Sequence, residues 1–77
     1  MIDIIVKTPE GYTLRNPIWK VRSDSDFAFV DLLREVCQKI EVDPREFKVQ
    51  LDGADMQNGA LCLNFLDQGD TVELVER

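Results

Sequence analysis

The sequence predicts a two-layer α+β domain, and three observations predict it. Several short runs alternate apolar and polar side chains, the period of a strand with one buried face. A single longer stretch carries apolar residues at three- and four-residue spacing, the period of a helix. The length, 77 residues, allows one core and therefore one domain, spanning residues 1–77. With 44% hydrophobic and 31% charged residues, the composition is that of a folded globular domain and not of a disordered tail.

The first run, Ile2-Asp3-Ile4-Ile5-Val6-Lys7-Thr8, is rich in β-branched side chains; Ile2, Ile4 and Val6 form an apolar face and Asp3, Ile5 and Lys7 a mixed one. Pro9-Glu10-Gly11 supplies a turn in which Gly11 can take a positive φ. Tyr12-Thr13-Leu14-Arg15 resumes an extended pattern, so these runs read as a hairpin. Asn16-Pro17 interrupts the returning strand, which marks an edge or a bulge there. Ile18 to Arg22 then alternates again, with Trp19 and Val21 on one side.

Ser23-Asp24-Ser25-Asp26 carries short side-chain oxygens suited to capping a helix start. Phe29, Leu33, Val36, Cys37 and Ile40 follow at helical spacing, predicting an amphipathic helix over Asp26 to Ile40. The residue before Pro44 is pushed out of helical space, so Val42 to Glu46 is a loop. Phe47 to Leu51 alternates as a strand, Asp52-Gly53 is a tight hairpin turn, and Ala54-Asp55-Met56 can pair back. Gln57-Asn58-Gly59 turns again, and Ala60 to Leu66 is apolar but fits neither period. Gln68-Gly69-Asp70 leads into a last strand, Thr71 to Val75.

Nine Lys and Arg against fifteen Asp and Glu give a net charge of −6. Nucleic-acid affinity comes from basic charge and the counterions it releases, so the balance argues against a nucleic-acid partner; it argues equally against an anionic membrane. The natural partner is a basic protein surface. No stretch reaches the roughly 20 apolar residues of a membrane span, and the start lacks a basic signal segment. Two cysteines, Cys37 and Cys62, and no histidine fit a reducing, intracellular compartment and cannot build an ordinary zinc site. The missing histidine removes the commonest general base and the usual activator of Ser and Cys nucleophiles. No catalytic, cofactor or metal-ligating residue is assigned, a chain this small has little room for a substrate pocket, and a non-enzymatic, monomeric domain is expected.

The order of elements resembles the β-grasp fold of ubiquitin and its relatives, over essentially the whole chain. Within that group it is most similar to SUMO and the SUMO-like domains. The residues that carry the resemblance are Ile2 to Lys7, Lys20-Val21-Arg22, Cys37-Gln38, Phe47-Lys48-Val49-Gln50-Leu51-Asp52-Gly53, and Leu66-Asp67-Gln68-Gly69-Asp70-Thr71-Val72-Glu73-Leu74. The last pairs a short acidic turn with a Val-Glu-Leu strand. The resemblance implies a ββαββ-type mixed sheet with one main helix on one face. Ending at Val75-Glu76-Arg77 without a Gly-Gly tail, the chain looks like a module that binds and is not conjugated. Such modules occur in the RENi family of genome-stability adaptors, which would place it in the nucleus. A stand-alone ubiquitin-like accessory subunit of a bacterial secretion or multicomponent enzyme complex, in the cytoplasm, is the alternative.

The resemblance also nominates two surfaces. Asp67, Gln68, Gly69, Asp70 and Glu73 align with the region of SUMO that meets the basic face of its conjugating E2 enzyme, and carboxylates on a rigid turn suit a Lys/Arg partner on chemistry alone. An ordinary solvated turn accounts for the same residues. Lys20, Val21, Arg22 and Lys39 match the groove in which SUMO accepts a short peptide by strand addition. Asp31 falls where SUMO often carries a basic residue, and about two extra residues fall near Ser23 to Asp26, so a charged, protected edge strand takes precedence there. Trp19 is expected to pack half-buried on the helix, and both cysteines to be small buried hydrophobes.

Overall fold

Alternation in the first strand decides which side of the sheet becomes the interior. The computed structural model describes residues 1–22 and 26–77. In it β1 (Ile2–Lys7) turns Ile4 and Val6 inward and leaves Ile5 and Lys7 on the open face. β2 (Ile18–Val21) pairs antiparallel to β1, with Ile4 opposite Trp19. After helix α1 (Phe29–Lys39) come β3 (Phe47–Leu51), β4 (Ala54–Asp55) and β5 (Thr71–Glu76). β5 inserts beside β1 in parallel, with Val6 opposite Val72, and β3 pairs antiparallel to its other side, with Val49 opposite Leu74. The strand order is β2-β1-β5-β3-β4. This mixed five-stranded sheet with one helix on its inner face is the ubiquitin-like β-grasp arrangement.

The helix buries Phe29, Leu32, Leu33, Val36 and Cys37 among Ile4, Val6, Val21, Phe47, Val49, Val72 and Leu74 from the sheet. These residues repeat at the expected periods because each element has one face to hide. Asp52-Gly53 closes the β3–β4 hairpin with both residues at positive φ, 52° and 81°, as a type I′ turn requires. Lys48 and Gln50 of β3 then grip the carboxylate of Asp55 at 3.0 and 2.7 Å.

The structure departs from the sequence reading in several places. Tyr12 to Arg15 is not a strand, and the returning strand begins only at Ile18. Tertiary packing overrides the local pattern: Tyr12 reaches across to stack edge-on against Phe47, ring centroids 5.8 Å apart. Thr8 Oγ1 donates to the Tyr12 carbonyl and fixes the departure. The helix begins at Phe29, not Asp26, with Ala28 at its N-cap; the expected capping residues Ser23 to Ser25 lie outside the described residues.

The helix does not depend on such a cap, because other groups take its first amides. Phe29 N donates to Ala60 O and Val30 N to Asn58 O, both at 3.0 Å. The carboxylate of Asp31 accepts from Ala28 N at 3.0 Å. The apolar segment Ala60 to Leu66, which fits neither period, is therefore the clamp on the helix start. Ala28 and Leu61 form an isolated bridge, and a 3₁₀ turn follows at Cys62–Asn64. A second 3₁₀ turn occupies Pro44–Glu46 in the expected loop.

At its other end α1 closes with Val42 N on Cys37 O at 3.0 Å, a Schellman-type lock with Glu41 at φ 60°. Glycine is the usual occupant of that left-handed position. Glu41→Gly is expected to raise stability by about 0.5–1 kcal/mol, read as a higher urea midpoint at unchanged slope. An unchanged or lower midpoint would show that the Glu41 side chain makes up for its backbone strain. Asp52 gives no such gain, since Asp tolerates this region in a hairpin turn.

Candidate partner-binding surfaces

Leu66, 3% exposed, anchors the entry to the acidic turn, and the turn that follows is strapped to β1. Gln68 Oε1 accepts from Asp3 N at 2.8 Å, and Gly69 N, with φ at 85°, donates to Asp3 O at 2.7 Å. Ile5 N donates to Asp70 O at 2.8 Å. The Asp70 carboxylate turns inward on its own loop and accepts from Asp67 N at 2.8 Å. Gln68, Gly69 and Asp70 thus hold the turn in shape, while the exposed Asp67 carboxylate has no partner among the described residues.

Glu73 does not join that turn. It lies on the open face of β5, in register with Lys7 on one side and Gln50 on the other. The acidic residue the structure does bring to the turn is Asp3, whose carboxylate sits 3.8 Å from Lys20 Nζ. Its position in the first strand gives no sequence signal, because the parallel β1–β5 pairing creates the neighbourhood.

On the opposite flank β2 is an edge strand, and a groove of about 720 Å³ runs between it and the helix end. Lys20 and Lys39, nominated from sequence, line it together. Val21 does not: it is 1% exposed and belongs to the core. Arg22 is exposed but outside the lining. Thr13, Leu14, Arg15, Asn16, Ile18 and Trp19 complete the wall, and sequence reasoning missed them as groove residues. Trp19 packs half-buried as expected, and its Nε1 donates to Glu35 on α1 at 3.2 Å, so it serves core and groove at once. Asp31, which counted against the groove, is spent on the helix start.

Alternation along β2 aims the backbone groups of Ile18 and Lys20 outward, since Pro17, two residues before Trp19, gives its carbonyl to Val6 N at 2.8 Å. Asn16 Oδ1 accepts from Ile18 N at 3.1 Å and closes part of this edge. The Lys20 backbone faces outward with no such side-chain guard among the described residues. The groove is larger than a chain of this size was expected to offer. It is an open cleft, and among the described residues no carboxylate, cysteine or histidine lines it and no three metal-ligating side chains cluster.

On the open sheet face Ile5 and Ile18 are partners across β1 and β2, 39% and 49% exposed. Val75 shares that face but lies four residues beyond Thr71, the partner of Ile5, about 13 Å along the strand. Glu73 stands between them, so Ile5 and Val75 do not form one apolar patch. Both cysteines are buried and unpaired. Burial, with Asp31 adding to it, pushes the Cys62 thiol up to about 12, and burial with Asp43 raises Cys37. Neither has the electropositive, accessible setting of a reactive thiol. No described helix is long and apolar enough to cross a membrane.

The solved structure of Caldiarchaeum subterraneum ubiquitin is similar to this chain with a TM-score of 0.78, covering 99% of this chain and 92% of that one at 13% identity. At that identity the likeness establishes the fold alone. No protein-family model and no curated relative matches the sequence.

Proposed function

We propose that the chain is a protein-interaction module, and that a partner's extended, acid-flanked apolar segment adds as a strand to the β2 edge. One observation carries this: among the described residues, an unpaired strand edge borders a groove with apolar Leu14, Ile18 and Trp19 and three cations, Arg15, Lys20 and Lys39, with no acid in its wall and Asp3 reaching only Lys20 from outside it, in a chain with fifteen acids. Main-chain hydrogen bonds to Lys20 supply affinity, the apolar wall selects side chains, and the cations fix polarity and hasten encounter. Asn16 acts as the guard that the incoming strand displaces, which keeps the free edge from pairing indiscriminately.

A second reading rests on the exposed carboxylates of Asp67 and Glu73, which have no partner among the described residues. Held on a strapped turn and a central strand, they suit a basic partner such as the SUMO-conjugating E2. One experiment separates the two. Isotope-labelled protein is titrated first with a peptide of four β-branched residues flanked by Asp and Glu, then with that E2, while backbone amides are followed. The groove reading expects shifts on Ile18 to Val21 and near Lys39, weakened roughly tenfold or more by Lys20→Glu with Lys39→Glu. Shifts confined to Leu66 to Glu73, appearing only with the E2 and abolished by Asp67→Arg, would replace the groove with the acidic surface. Silence toward both at millimolar concentration would sink both sites.

A further inference from the structure

We infer that a second cationic cavity, on the far side of the helix from the β2 groove, binds the phosphorylated side chain of a partner protein. This cavity, about 350 Å³, lies between α1, the Pro44–Glu46 turn and the residue after β5; Arg34, Arg45, Arg77 and Asn58 stand around a wall of Leu33 and Pro44. Among the described residues no carboxylate lines it, although acids outnumber bases by fifteen to nine in the chain. Three arginines gather here in so acidic a molecule with Asp43 paired to only one of them, Arg45, and the excess of cations forms a local reversal of its field.

Two of the three guanidinium groups are already oriented by hydrogen bonds within the domain, Arg45 on an exposed side chain. Arg45 is held by the carboxylate of Asp43 through Nε at 3.2 Å and Nη2 at 2.8 Å, and Arg77 Nε donates to Phe47 O at 3.1 Å. The terminal Arg77 nitrogens and the outer Arg45 nitrogen keep their donors. Arg34 forms no ion pair among the described residues and supplies an uncompensated charge. Asn58 adds an amide on a loop pinned by its own carbonyl to Val30 N at 3.0 Å.

Donors that outnumber the two oxygens of a carboxylate suit a phosphoryl group, which offers three acceptor oxygens and nearly two charges. Preorganised forks lose little rotamer freedom on binding. The net charge of −6 disfavours long polyanions and anionic membranes, which leaves a phosphorylated protein segment as the occupant.

The test uses N-acetyl phosphoserine methylamide as probe and follows the arginine Nε–Hε and Asn58 side-chain signals. Saturable shifts are expected at Arg34, Arg45, Arg77 and Asn58, with affinity falling as pH drops through the phosphate's second pKa of about 6. Arg34→Ala sits on an exposed helix position and folds; it should weaken binding about tenfold. The Lys20→Glu/Lys39→Glu variant should retain the site, so this inference and the groove stand or fall separately. Equal affinity for the capped glutamate analogue would make it a plain carboxylate site and overturn the phosphoryl assignment. Shifts spread over Lys7 and Lys48 as well, or binding only to phosphoinositide vesicles, would overturn it too.

Discussion

Replacing Phe29 with Ala is expected to leave little folded protein, whereas Phe65→Ala is expected to leave the domain intact. The two rings touch, centroids 6.0 Å apart at 56°, yet their surroundings differ. Phe29 is 1% exposed on the first turn of α1, and Phe65 is 51% exposed beside the Cys62–Asn64 turn. Truncating a buried Phe costs about 3–5 kcal/mol in lost transfer energy and cavity. A domain of this length holds roughly 4–11 kcal/mol in total, so the loss removes much or all of it. Truncating the half-exposed partner costs on the order of 1 kcal/mol, the size of one edge of an aromatic pair. Trp19, the single tryptophan, reports both in urea unfolding. A Phe29→Ala cost no larger than that of Phe65→Ala would mean that the helix start is held by its amide clamp and not by this ring.

That contrast marks what a sequence of this kind discloses. Ile4, Val6, Phe47, Val49, Val72 and Leu74 reveal themselves by alternation, and Leu33, Val36 and Cys37 by helical spacing. A periodic pattern and a buried face are here the same fact. The Asp52-Gly53 turn is equally local. The capping of α1 is not, because its partners, the carbonyls of Asn58 and Ala60, lie some thirty residues downstream. Ser23 to Asp26 fit the local signal, while the described cap belongs to Ala28 and Asp31. Tyr12 is misleading for a similar reason: its extended pattern serves a contact with Phe47 and not a ladder.

The candidate surfaces divide along the same line. Asp67 to Asp70 was legible as an acidic turn, but not that Gln68 and Asp70 spend their side chains holding it. Lys20 and Lys39 were nominated by resemblance, and the structure puts them on one groove. Arg15 and Leu14 join them only through the path of a connection that no pattern specifies. The Arg34, Arg45 and Arg77 cluster was invisible, being assembled from a helix face, a 3₁₀ turn and the residue after the last strand.

Raising the pH above about 9 is expected to destabilise the domain through Cys62, and removing that thiol should flatten the loss. Cys62 is fully buried, its amide donates to Phe27 O at 2.9 Å, and its thiol is pushed up to about 12 from an ordinary 9.0 by burial first and Asp31 second. The folded pKa is the raised one, so the contribution is complete below pH 9 and is lost as pH climbs from there toward 12. Within that window the unfolded chain releases a proton that the folded chain keeps, which costs about 1.4 kcal/mol per pH unit and on the order of 4 kcal/mol across it. Cys37, raised by burial and Asp43, acts in the same direction.

Tyrosine and lysines also titrate in this range, so the informative quantity is the difference between slopes. Urea unfolding of the parent and of Cys62→Ala between pH 9 and 11 should show the variant less stable at neutral pH by about 1 kcal/mol, the cost of a small cavity. Its fall with pH should nevertheless be shallower by nearly one proton's worth. Parallel slopes would show that the thiol ionises in place, which requires water at the clamp joining Phe27, Cys62 and the start of α1. The same site gives an independent reading, since a thiol sealed in this way is alkylated only when the clamp opens. The rate of Cys62 modification at pH 8 should therefore follow the opening of that segment and slow in proportion to any substitution that stabilises it.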